Sequence, residues 1–358
     1  MSYELNQKIR ELKPYAPLEG EYAVRLDANE SYLTLPPEKL GAVFSKAMQE
    51  PLNRYPDPRA EKLCRAFAGY YGVRPEHCTA GNGSDELIAL IASAFFVPGD
   101  ELITLEQDFS MYRFYGEVSG VTTSIFPKRP DLTVNLEGLI EYASRTGARG
   151  LIFSNPCNPT SICLEKKQVI KLVQALPNCL VVVDEAYMDF ADESVLSEIE
   201  RYDNLMVLKT CSKAIGLAGI RLGFAVAGEL LTRALQSVKS PYNVNSLTQV
   251  IGREVLSDRA FLEECTEELI RARDQLYSRI LSLYARYQLI DEVYQTASNF
   301  VYFRTRYAKP IFEALKTRSI AIRYMGDYLR ICAGSKDEME RLFEALEEIF
   351  QELSGMKG

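Results

Sequence analysis

A lysine in the segment TCSKAIGLAGIRLGFAVAG, residues 210–228, has neighbours that favour covalent chemistry. Lys213 follows the hydroxyl of Ser212 and precedes small apolar residues, and Arg221 comes eight positions later, before an apolar run. An amine among apolar neighbours is less stable as an ammonium ion, so it is more nucleophilic, as Schiff-base chemistry with an aldehyde requires. The hydroxyls and the guanidinium suit a phosphate. A structural lysine beside a Gly-rich turn explains the segment equally well, so other segments must separate the two interpretations.

An acidic residue ends the apolar run in VVVDEAY, residues 181–187. Asp184 follows three valines, and Tyr187 comes three residues later. A carboxylate at the end of a buried strand requires a cationic partner or strong hydrogen bonds. A protonated pyridine nitrogen would be such a partner, and the ion pair would keep the ring able to accept electrons. The alternative is an acid that binds a metal ion or forms an ion pair, as in nucleotide-binding folds. No GxxxxGK[ST] motif precedes Asp184, which disfavours the nucleotide version.

The segment GNGSDE, residues 81–86, directly precedes an apolar helical run. Glycines let backbone amides approach an anion closely, and Ser84 or Asp85 could cap the helix. The N-terminus of that helix would then favour a phosphate group. An ordinary capped helix start is the alternative, and without other segments it is the better explanation.

The segment NPCNPTS, residues 155–161, follows the end of a predicted strand. Its two X-Pro steps favour an extended, rigid backbone. From such a loop Asn158 could direct its side-chain amide at a phenolate oxygen. A Pro-rich loop without any binding role explains the pattern equally well.

Two arginines and one tyrosine complete the candidate binding residues. Arg330, in YLRICAGS, could bind an α-carboxylate bidentately, and Arg323, in IAIRY, is a second cation nearby in the sequence. Surface salt bridges would account for either arginine equally well. Tyr55 lies in the rigid segment NRYPDP and is expected to be exposed, with packing in the core or at a lattice contact as the alternative.

Composition excludes several classes of protein. The single histidine, His77, disfavours Ser-His-Asp hydrolases and His-ligated metal centres, and its polar context predicts a surface position. Eight cysteines without a CxxC pair indicate reduced, mostly buried thiols in a cytoplasmic protein, with no metal site. The net charge of −8 argues against nucleic acid or an anionic membrane as a partner. We also find no signal peptide and no apolar run of transmembrane length.

Helical and strand patterns alternate through the first two-thirds of the chain. Apolar strands separated by helices predict an α/β fold with a mostly parallel sheet that is covered by helices on both faces. The predicted strands are residues 101–105, 150–154, 180–183, 206–208 and 224–226. In such sheets a ligand binds at the carboxyl ends of the strands, where the segments above fall.

The pattern changes after about residue 246. A long charged helix over residues 260–286, three short strands and a final amphipathic helix over 336–353 predict a smaller α+β domain. We therefore expect a large ligand-binding domain at 36–250, a small domain at 251–358, and an N-terminal segment, 1–35, that contributes to the small domain. A ligand site between the domains is natural, because clefts form there.

Taken together, these segments resemble the fold-type I aminotransferases (class II), which use pyridoxal 5'-phosphate (PLP). The resemblance runs from about residue 26 to the C-terminal helix and is greatest to the branch that acts on histidinol phosphate. The matching motifs occur in family order: NRYPDP, GNGSDE, NPCNPTS, VVVDEAY, TCSKAIGLAGIRLG, SNFVYF and IAIRYMGDYLRI. The occurrence of all these motifs in the family order supports the resemblance more strongly than any single motif does.

The resemblance implies roles for individual residues. Lys213 would bond covalently to the coenzyme and later move the proton, Asp184 would pair with the ring nitrogen, and Tyr187 would complete the catalytic set. Phe109, in EQDFSMY, would lie over the ring, where many relatives have Tyr. The other residues expected around the coenzyme are Gly83, Ser84, Asp85, Asn158, Thr210, Ser212 and Arg221, with Tyr55 supplied by the partner subunit of a homodimer. The residues expected to bind substrate are Arg330, Arg323, Tyr32 and Asn158.

The activity implied is amino-group transfer in a ping-pong cycle, with L-histidinol phosphate and 2-oxoglutarate as the expected substrates, in histidine biosynthesis. An aminotransferase for aromatic or other amino acids, or a PLP-dependent decarboxylase of a phosphorylated amino acid, is the alternative. A PLP-dependent regulator is disfavoured because no basic DNA-binding extension precedes the first motif. Cys157 and Ser161 replace Asn and Gly of the family loop, and NESYLT departs from NENPYG in the segment that helps close the substrate pocket of the family.

Overall fold

The computed structural model describes residues 3–6, 9–10, 12 and 18–355. The strands in this part of the chain are β1 (Val24–Arg25), β2 (Cys78–Gly81), β3 (Glu101–Leu105), β4 (Thr122–Phe126), β5 (Gly150–Ser154), β6 (Leu180–Asp184), β7 (Leu205–Thr210), β8 (Gly223–Ala227), β9 (Glu292–Val293), β10 (Phe300–Arg304), β11 (Ile320–Ala321), β12 (Arg323–Met325) and β13 (Tyr328–Cys332). The α-helices are Pro37–Ala47, Glu61–Tyr71, Gly83–Ala94, Met111–Ser119, Leu136–Thr146, Lys166–Ala175, Glu229–Val238, Ser246–Leu256, Arg259–Tyr287, Ala308–Thr317 and Lys336–Gly355. Short 3-10 helices are Pro75–His77, Met188–Phe190, Leu196–Glu198 and Ala218–Ile220.

Seven strands form the central sheet, in the order β2-β8-β7-β6-β5-β3-β4. The strands from β3 to β7 pair in parallel, whereas β8 is antiparallel to both of its neighbours. Strand β6 lies in the middle and is buried along its whole length. Parallel strands place their carboxyl ends at one edge of the sheet, so the loops after β5, β6 and β7 meet there.

Alternate residues of the strands pack on opposite faces of this sheet. Val181 and Val183 of β6 belong to one apolar cluster, whereas Leu180 and Val182 belong to another. The first cluster includes residues of the helices Glu61–Tyr71, Leu136–Thr146, Lys166–Ala175 and Ser246–Leu256. The second includes residues of the helices Gly83–Ala94, Met111–Ser119 and Glu229–Val238. The predicted α/β fold, with a mostly parallel sheet covered on both faces, is therefore confirmed.

A smaller α+β lobe follows in the chain, as predicted. Its four-stranded antiparallel sheet has the order β12-β13-β10-β9. The helices Arg259–Tyr287, Ala308–Thr317 and Lys336–Gly355 contribute to its apolar cluster. Strand β1 pairs in parallel with β11, so the N-terminal segment joins this lobe. The boundaries at 36–250 and 251–358 stay a prediction. Of the segment 1–35, residues 1–2, 7–8, 11 and 13–17 lie outside the described part.

The surface position predicted for His77 is wrong. Its side chain is 2% exposed, because the 3-10 turn Pro75–His77 directs the ring inward. The ring nitrogen Nε2 lies 3.0 Å from the guanidinium of Arg74, and Nδ1 lies 3.4 Å from the carboxylate of Glu200. The polar sequence around His77 therefore led to a wrong prediction, because the ring is buried beside the polar side chains of Arg74 and Glu200. None of the helices among the described residues combines the length and apolar character that crossing a membrane requires.

Candidate active site

A cavity of about 500 Å³ lies where the carboxyl edge of the central sheet faces the smaller lobe. The ends of β5, β6 and β7 contribute Ser154, Asp184 and Thr210 to its wall. The smaller lobe contributes residues from β1, β12 and β13. The predicted site residues that line this cavity are Ser84, Asp85, Phe109, Asn158, Asp184, Tyr187, Thr210, Ser212, Lys213, Arg221, Arg323 and Arg330.

One end of the cavity is built from two glycines that meet at the start of the helix Gly83–Ala94. A Cβ atom on Gly223 would lie 2.6 Å from the backbone nitrogen of Ser84, and one on Gly83 would lie 2.9 Å from the guanidinium of Arg221. Gly83 has a φ of +75°, which other residues rarely adopt. The helix begins at Gly83, so Ser84 and Asp85 lie within its first turn, and the side chain of its N-cap residue, Asn82, accepts no capping hydrogen bond from the backbone amides of that turn. The N-terminal amides are thus left for an anion.

Hydroxyls and a guanidinium surround the same end. The Thr210 hydroxyl lies 3.1 Å from that of Ser212, to which it donates a hydrogen bond. Arg221 donates to the Ser212 hydroxyl at 3.5 Å and to the Asp85 carboxylate at 3.2 Å. A positive helix end, two hydroxyls and a guanidinium together form a site for a phosphate.

Asp184 lies at the end of β6 and is 3% exposed. Its Oδ1 accepts a hydrogen bond from the backbone amide of Ala186 at 3.0 Å, and its Oδ2 accepts one from the Tyr112 hydroxyl at 2.8 Å. Burial raises the pKa of Asp184 to about 7, although these two hydrogen bonds oppose the shift. A carboxylate in such a place gains from a cationic ring nitrogen beside it.

Lys213 reaches the middle of the cavity from the loop after β7. Its Nζ donates to the backbone carbonyl of Ala28 at 3.0 Å and lies 5.8 Å from the centre of the Tyr187 ring. The Tyr187 hydroxyl accepts a hydrogen bond from Asn29 at 2.9 Å, and its ring packs edge-on against Phe300. Both lobes therefore position these two side chains.

Asn158 and Arg330 contact each other across the cavity. Arg330, which is 8% exposed, donates to Oδ1 of Asn158 and, at 2.6 Å, to the backbone carbonyl of Asp27. The backbone amide of Asn158 donates to the Ser154 hydroxyl at 2.9 Å. That hydroxyl in turn donates to the half-buried carboxylate of Asp108. Besides their mutual contact, the loop is thus held by Ser154 and the arginine by the backbone at Asp27.

The remaining predicted residues lie outside this cavity. Tyr55 is 81% exposed and stacks on Tyr242, with ring centres 4.6 Å apart. The hydroxyl of Tyr32 donates to Glu268 at 3.2 Å in the smaller lobe. Gly83 supports the cavity through its backbone, as described above. In the described residues no cluster of three or more His, Cys, Asp or Glu side chains forms a possible metal site.

Sequence reasoning missed four residues of the site: Arg25, Asp27, Asn29 and Tyr112. Arg25 lines the cavity and forms an ion pair with Asp27 at 3.2 Å. The DANES motif marks the neighbourhood of the first three, and Tyr112 lies three residues after Phe109, in the helix that begins at Met111. These signals give a place in the chain, but the partners of Asn29 and Tyr112 cannot be found from them, because those partners are distant in sequence.

Comparison with known proteins gives concordant results. The sequence model of one family, "Aminotransferase class I and II", matches residues 23–346. A histidinol-phosphate aminotransferase of Clostridium novyi (strain NT) is 39% identical over 344 residues, which cover 94% of this chain and 95% of that protein. The crystal structure of histidinol-phosphate aminotransferase from Sinorhizobium meliloti in complex with pyridoxal 5'-phosphate superposes with a TM-score of 0.86 at 25% identity, over 98% of both chains. L-threonine-O-3-phosphate decarboxylase from Porphyromonas gingivalis has a TM-score of 0.78 at 21% identity over 92% of this chain and 99% of that one, and so shares the fold.

Proposed function

This chain belongs to the class I and II aminotransferases, and we propose that it transfers the amino group of L-histidinol phosphate to 2-oxoglutarate with PLP as coenzyme. Enzymes of this family take an amino group from a donor and pass it to a 2-oxo acid. One observation carries the proposal: Lys213 and Asp184 line a single cavity that has a phosphate site at one end. Arg323 and Arg330 line the same cavity. The names of the full-length relatives support the choice of substrate.

The residues present fit PLP. The glycines at 83 and 223 let the start of the helix lie against β8 and Arg221, and Thr210, Ser212 and Arg221 line the cavity with the first-turn residues Ser84 and Asp85. Asp184 would pair with the ring nitrogen. When bound, the coenzyme supplies an aldehyde that captures amines covalently and a cationic ring that accepts electrons.

The side chains around the ring have distinct tasks. Lys213 would hold the coenzyme covalently, and its amine would also move the proton at the Cα atom of the substrate. Tyr187 accepts a hydrogen bond from Asn29, so its own hydroxyl hydrogen remains to orient the phenolic oxygen of the coenzyme, together with Asn158. Phe109 lines the cavity and would cover one face of the ring, excluding water.

The arginines explain how one site serves two different anions. Histidinol phosphate carries a phosphate and no carboxylate, whereas 2-oxoglutarate carries two carboxylates. Arg330 is held by Asn158 and the Asp27 carbonyl, so its planar guanidinium is presented in a fixed orientation. Arg323, from the neighbouring strand β12, would bind the anionic group farther from the reacting carbon. That group is the phosphate of histidinol phosphate or the second carboxylate of 2-oxoglutarate.

The proposal extends to a homodimer in which Tyr55 reaches the phosphate of the partner's coenzyme. Leu40, Phe44 and Met48 follow one another at intervals of four residues along the helix Pro37–Ala47 and its C-cap, so they share a face. All three are exposed, as is the stacked pair of Tyr55 and Tyr242. Exposed apolar surface of this kind is typical of contact sites between subunits.

Transamination assays test the substrate. Purified protein supplied with PLP should form glutamate from histidinol phosphate and 2-oxoglutarate, with a kcat/KM at least about tenfold above that for phenylalanine, tyrosine or leucine. Lys213→Ala should abolish the reaction and the shifted absorbance of the bound coenzyme, whereas the exposed Lys171→Ala should change neither. A preference for an aromatic or aliphatic donor would refute the substrate assignment, and carbon dioxide release without glutamate would favour the decarboxylase.

Light scattering and coenzyme titration test the dimer. The protein should have the mass of two chains, and Tyr55→Ala should weaken coenzyme binding about tenfold, because a contact to the phosphate is lost. Tyr284→Ala, a change at another exposed tyrosine, is the matched control. A monomer with unchanged coenzyme affinity in Tyr55→Ala would contradict this part of the proposal.

A further inference from the structure

Tyr112, which none of the sequence motifs assigns to the site, contacts Asp184, the carboxylate expected to pair with the coenzyme. Tyr112 lies in the first turn of the helix Met111–Ser119 and has no exposed surface. Its hydroxyl donates a hydrogen bond of 2.8 Å to Oδ2 of Asp184. The two residues are 72 positions apart in the sequence, so only the fold brings them together.

The two hydrogen bonds to Asp184 fix the plane of its carboxylate. The amide of Ala186 occupies Oδ1 and the phenol of Tyr112 occupies Oδ2, so rotation about the bond between Cβ and the carboxyl carbon would break at least one of them. A carboxylate oxygen has two lone pairs, and one hydrogen bond leaves the other available to a ring nitrogen. Tyr112 therefore acts on orientation without blocking the contact.

The phenol also affects the charge of Asp184. Burial disfavours the ionised carboxylate and raises its pKa to about 7, and the carboxylates of Asp108 and Asp85 act in the same direction. The hydrogen bond from Tyr112 favours the ionised form. Burial holds the pKa of the Tyr112 phenol well above its ordinary value, so the phenol remains a donor. The other ionisable groups that line the cavity are Arg25, Asp27, Glu30, Tyr115, Tyr187, Lys213, Arg221, Arg323 and Arg330.

We propose that Tyr112 is a positioning residue that keeps the Asp184 carboxylate oriented and ionised for the ring nitrogen of the coenzyme. The inference rests on the proposed function, because it assumes that Asp184 pairs with that nitrogen. The helix of Tyr112 begins just after Phe109, whose ring lies edge-on to that of Tyr112 with centres 5.5 Å apart. The short segment from Phe109 to Tyr112 thus holds both the residue expected over the coenzyme ring and the residue that contacts Asp184, the expected counter-charge of the ring nitrogen.

The test uses Tyr112→Phe, which removes the hydroxyl and keeps the buried ring. Coenzyme affinity is measured by absorbance titration of the coenzyme-free protein between pH 6 and pH 9, and folding is checked by circular dichroism. At pH 7 we expect the dissociation constant for PLP to rise about tenfold, since a hydrogen bond to a charged group is lost. The pH at which affinity is half-maximal should move upward, because the carboxylate then ionises at higher pH. Tyr287→Phe, whose hydroxyl donates to Glu347 at 2.6 Å in the smaller lobe, should leave both quantities unchanged.

A double-mutant cycle distinguishes action through Asp184 from a general structural effect. In an Asp184→Asn background, Tyr112→Phe should weaken PLP binding by less than about twofold, because there is no charge left to orient. Full additivity of the two substitutions, or a wild-type affinity and pH midpoint in Tyr112→Phe, would overturn the inference. A wild-type protein that fails to bind PLP would instead overturn the proposed function and, with it, this inference.

Discussion

The glycine at position 223 offers a direct test of how the phosphate end is built. A Cβ atom there would lie 2.6 Å from two backbone atoms, the Gly83 carbonyl carbon and the Ser84 nitrogen. Ordinary van der Waals contact begins at 3.4 Å, so the start of the helix Gly83–Ala94 must retreat by about 0.8 Å. No positive φ is involved at Gly223, and the cost of Gly223→Ala is therefore steric.

We expect Gly223→Ala to destabilise the coenzyme-free protein by about 1–3 kcal/mol, the usual cost of overpacking. PLP binding should weaken about tenfold or more, because the displaced amides lose hydrogen bonds to a charged phosphate. Thermal unfolding and absorbance titration measure the two effects. Competition by inorganic phosphate should weaken in parallel, because the same amides bind it.

The matched control lies four residues earlier. A Cβ atom on Gly219 would have no neighbour within 4 Å, so Gly219→Ala should behave like the wild type in both measurements. If Gly223→Ala were as stable as Gly219→Ala and bound PLP with the same affinity, the backbone contact would not shape the phosphate site. The assignment of that end of the cavity would then be wrong.

Three further predictions follow from buried charges. Lys209→Met should destabilise the protein by about 3–5 kcal/mol, because it removes the ammonium group between the buried carboxylates of Glu185 and Asp189. Burial already raises the pKa of Glu185, so the loss of stability should grow from pH 5 to pH 8 as that carboxylate is forced to ionise. Denaturant titrations at the two pH values measure this loss. Asp184→Asn should stabilise the coenzyme-free protein by up to about 4 kcal/mol at pH 8 and not at pH 3. A carboxylate with a pKa of about 7 in the folded state costs stability as pH rises from about 4 to 7. Calorimetry that showed the opposite sign would contradict this. Arg330→Lys should lower kcat/KM about tenfold or more for both substrates, since a single ammonium cannot hold Asn158 and an anion in the same plane, and steady-state kinetics with each substrate measure it.

The sequence was most informative where a strand is apolar on both faces. The run before Asp184 predicts a central strand, and β6 is buried along its whole length. Strand β4 was missed because its sequence, TTSIF, is polar and partly exposed at the edge of the sheet. Edge strands bury only part of their surface, so their composition carries less signal.

For the candidate site too, some residues are marked by the local sequence, whereas others are brought together only by the fold. Motifs around Lys213, Asp184 and Arg330 were predicted as candidates, and the structure places all three in one cavity. Tyr112 and Asn29 were missed because each acts through a hydrogen bond to a residue far away in the chain, 72 and 158 positions respectively. A tyrosine in an apolar helical pattern is predicted to belong to the core, and no local property marks its hydroxyl as a partner for a distant acid. The roles assigned to individual residues, the homodimer and a cytoplasmic location stay predictions.

The edge position of β2 has a consequence for biosynthesis. Its neighbour in the sheet is β8, and Gly81 is paired with Gly223, about 140 residues later. At ribosomal rates of about 5–20 residues per second, the earliest strand of the sheet waits roughly 7–28 s for its partner. During that interval its hydrogen-bonding groups are open to chaperones or to other nascent chains. A product that ends between residues 213 and 222 would carry Lys213 and yet lack Gly223, which shapes the phosphate end of the cavity. Ribosome stalling in this region would therefore release an inactive, association-prone fragment.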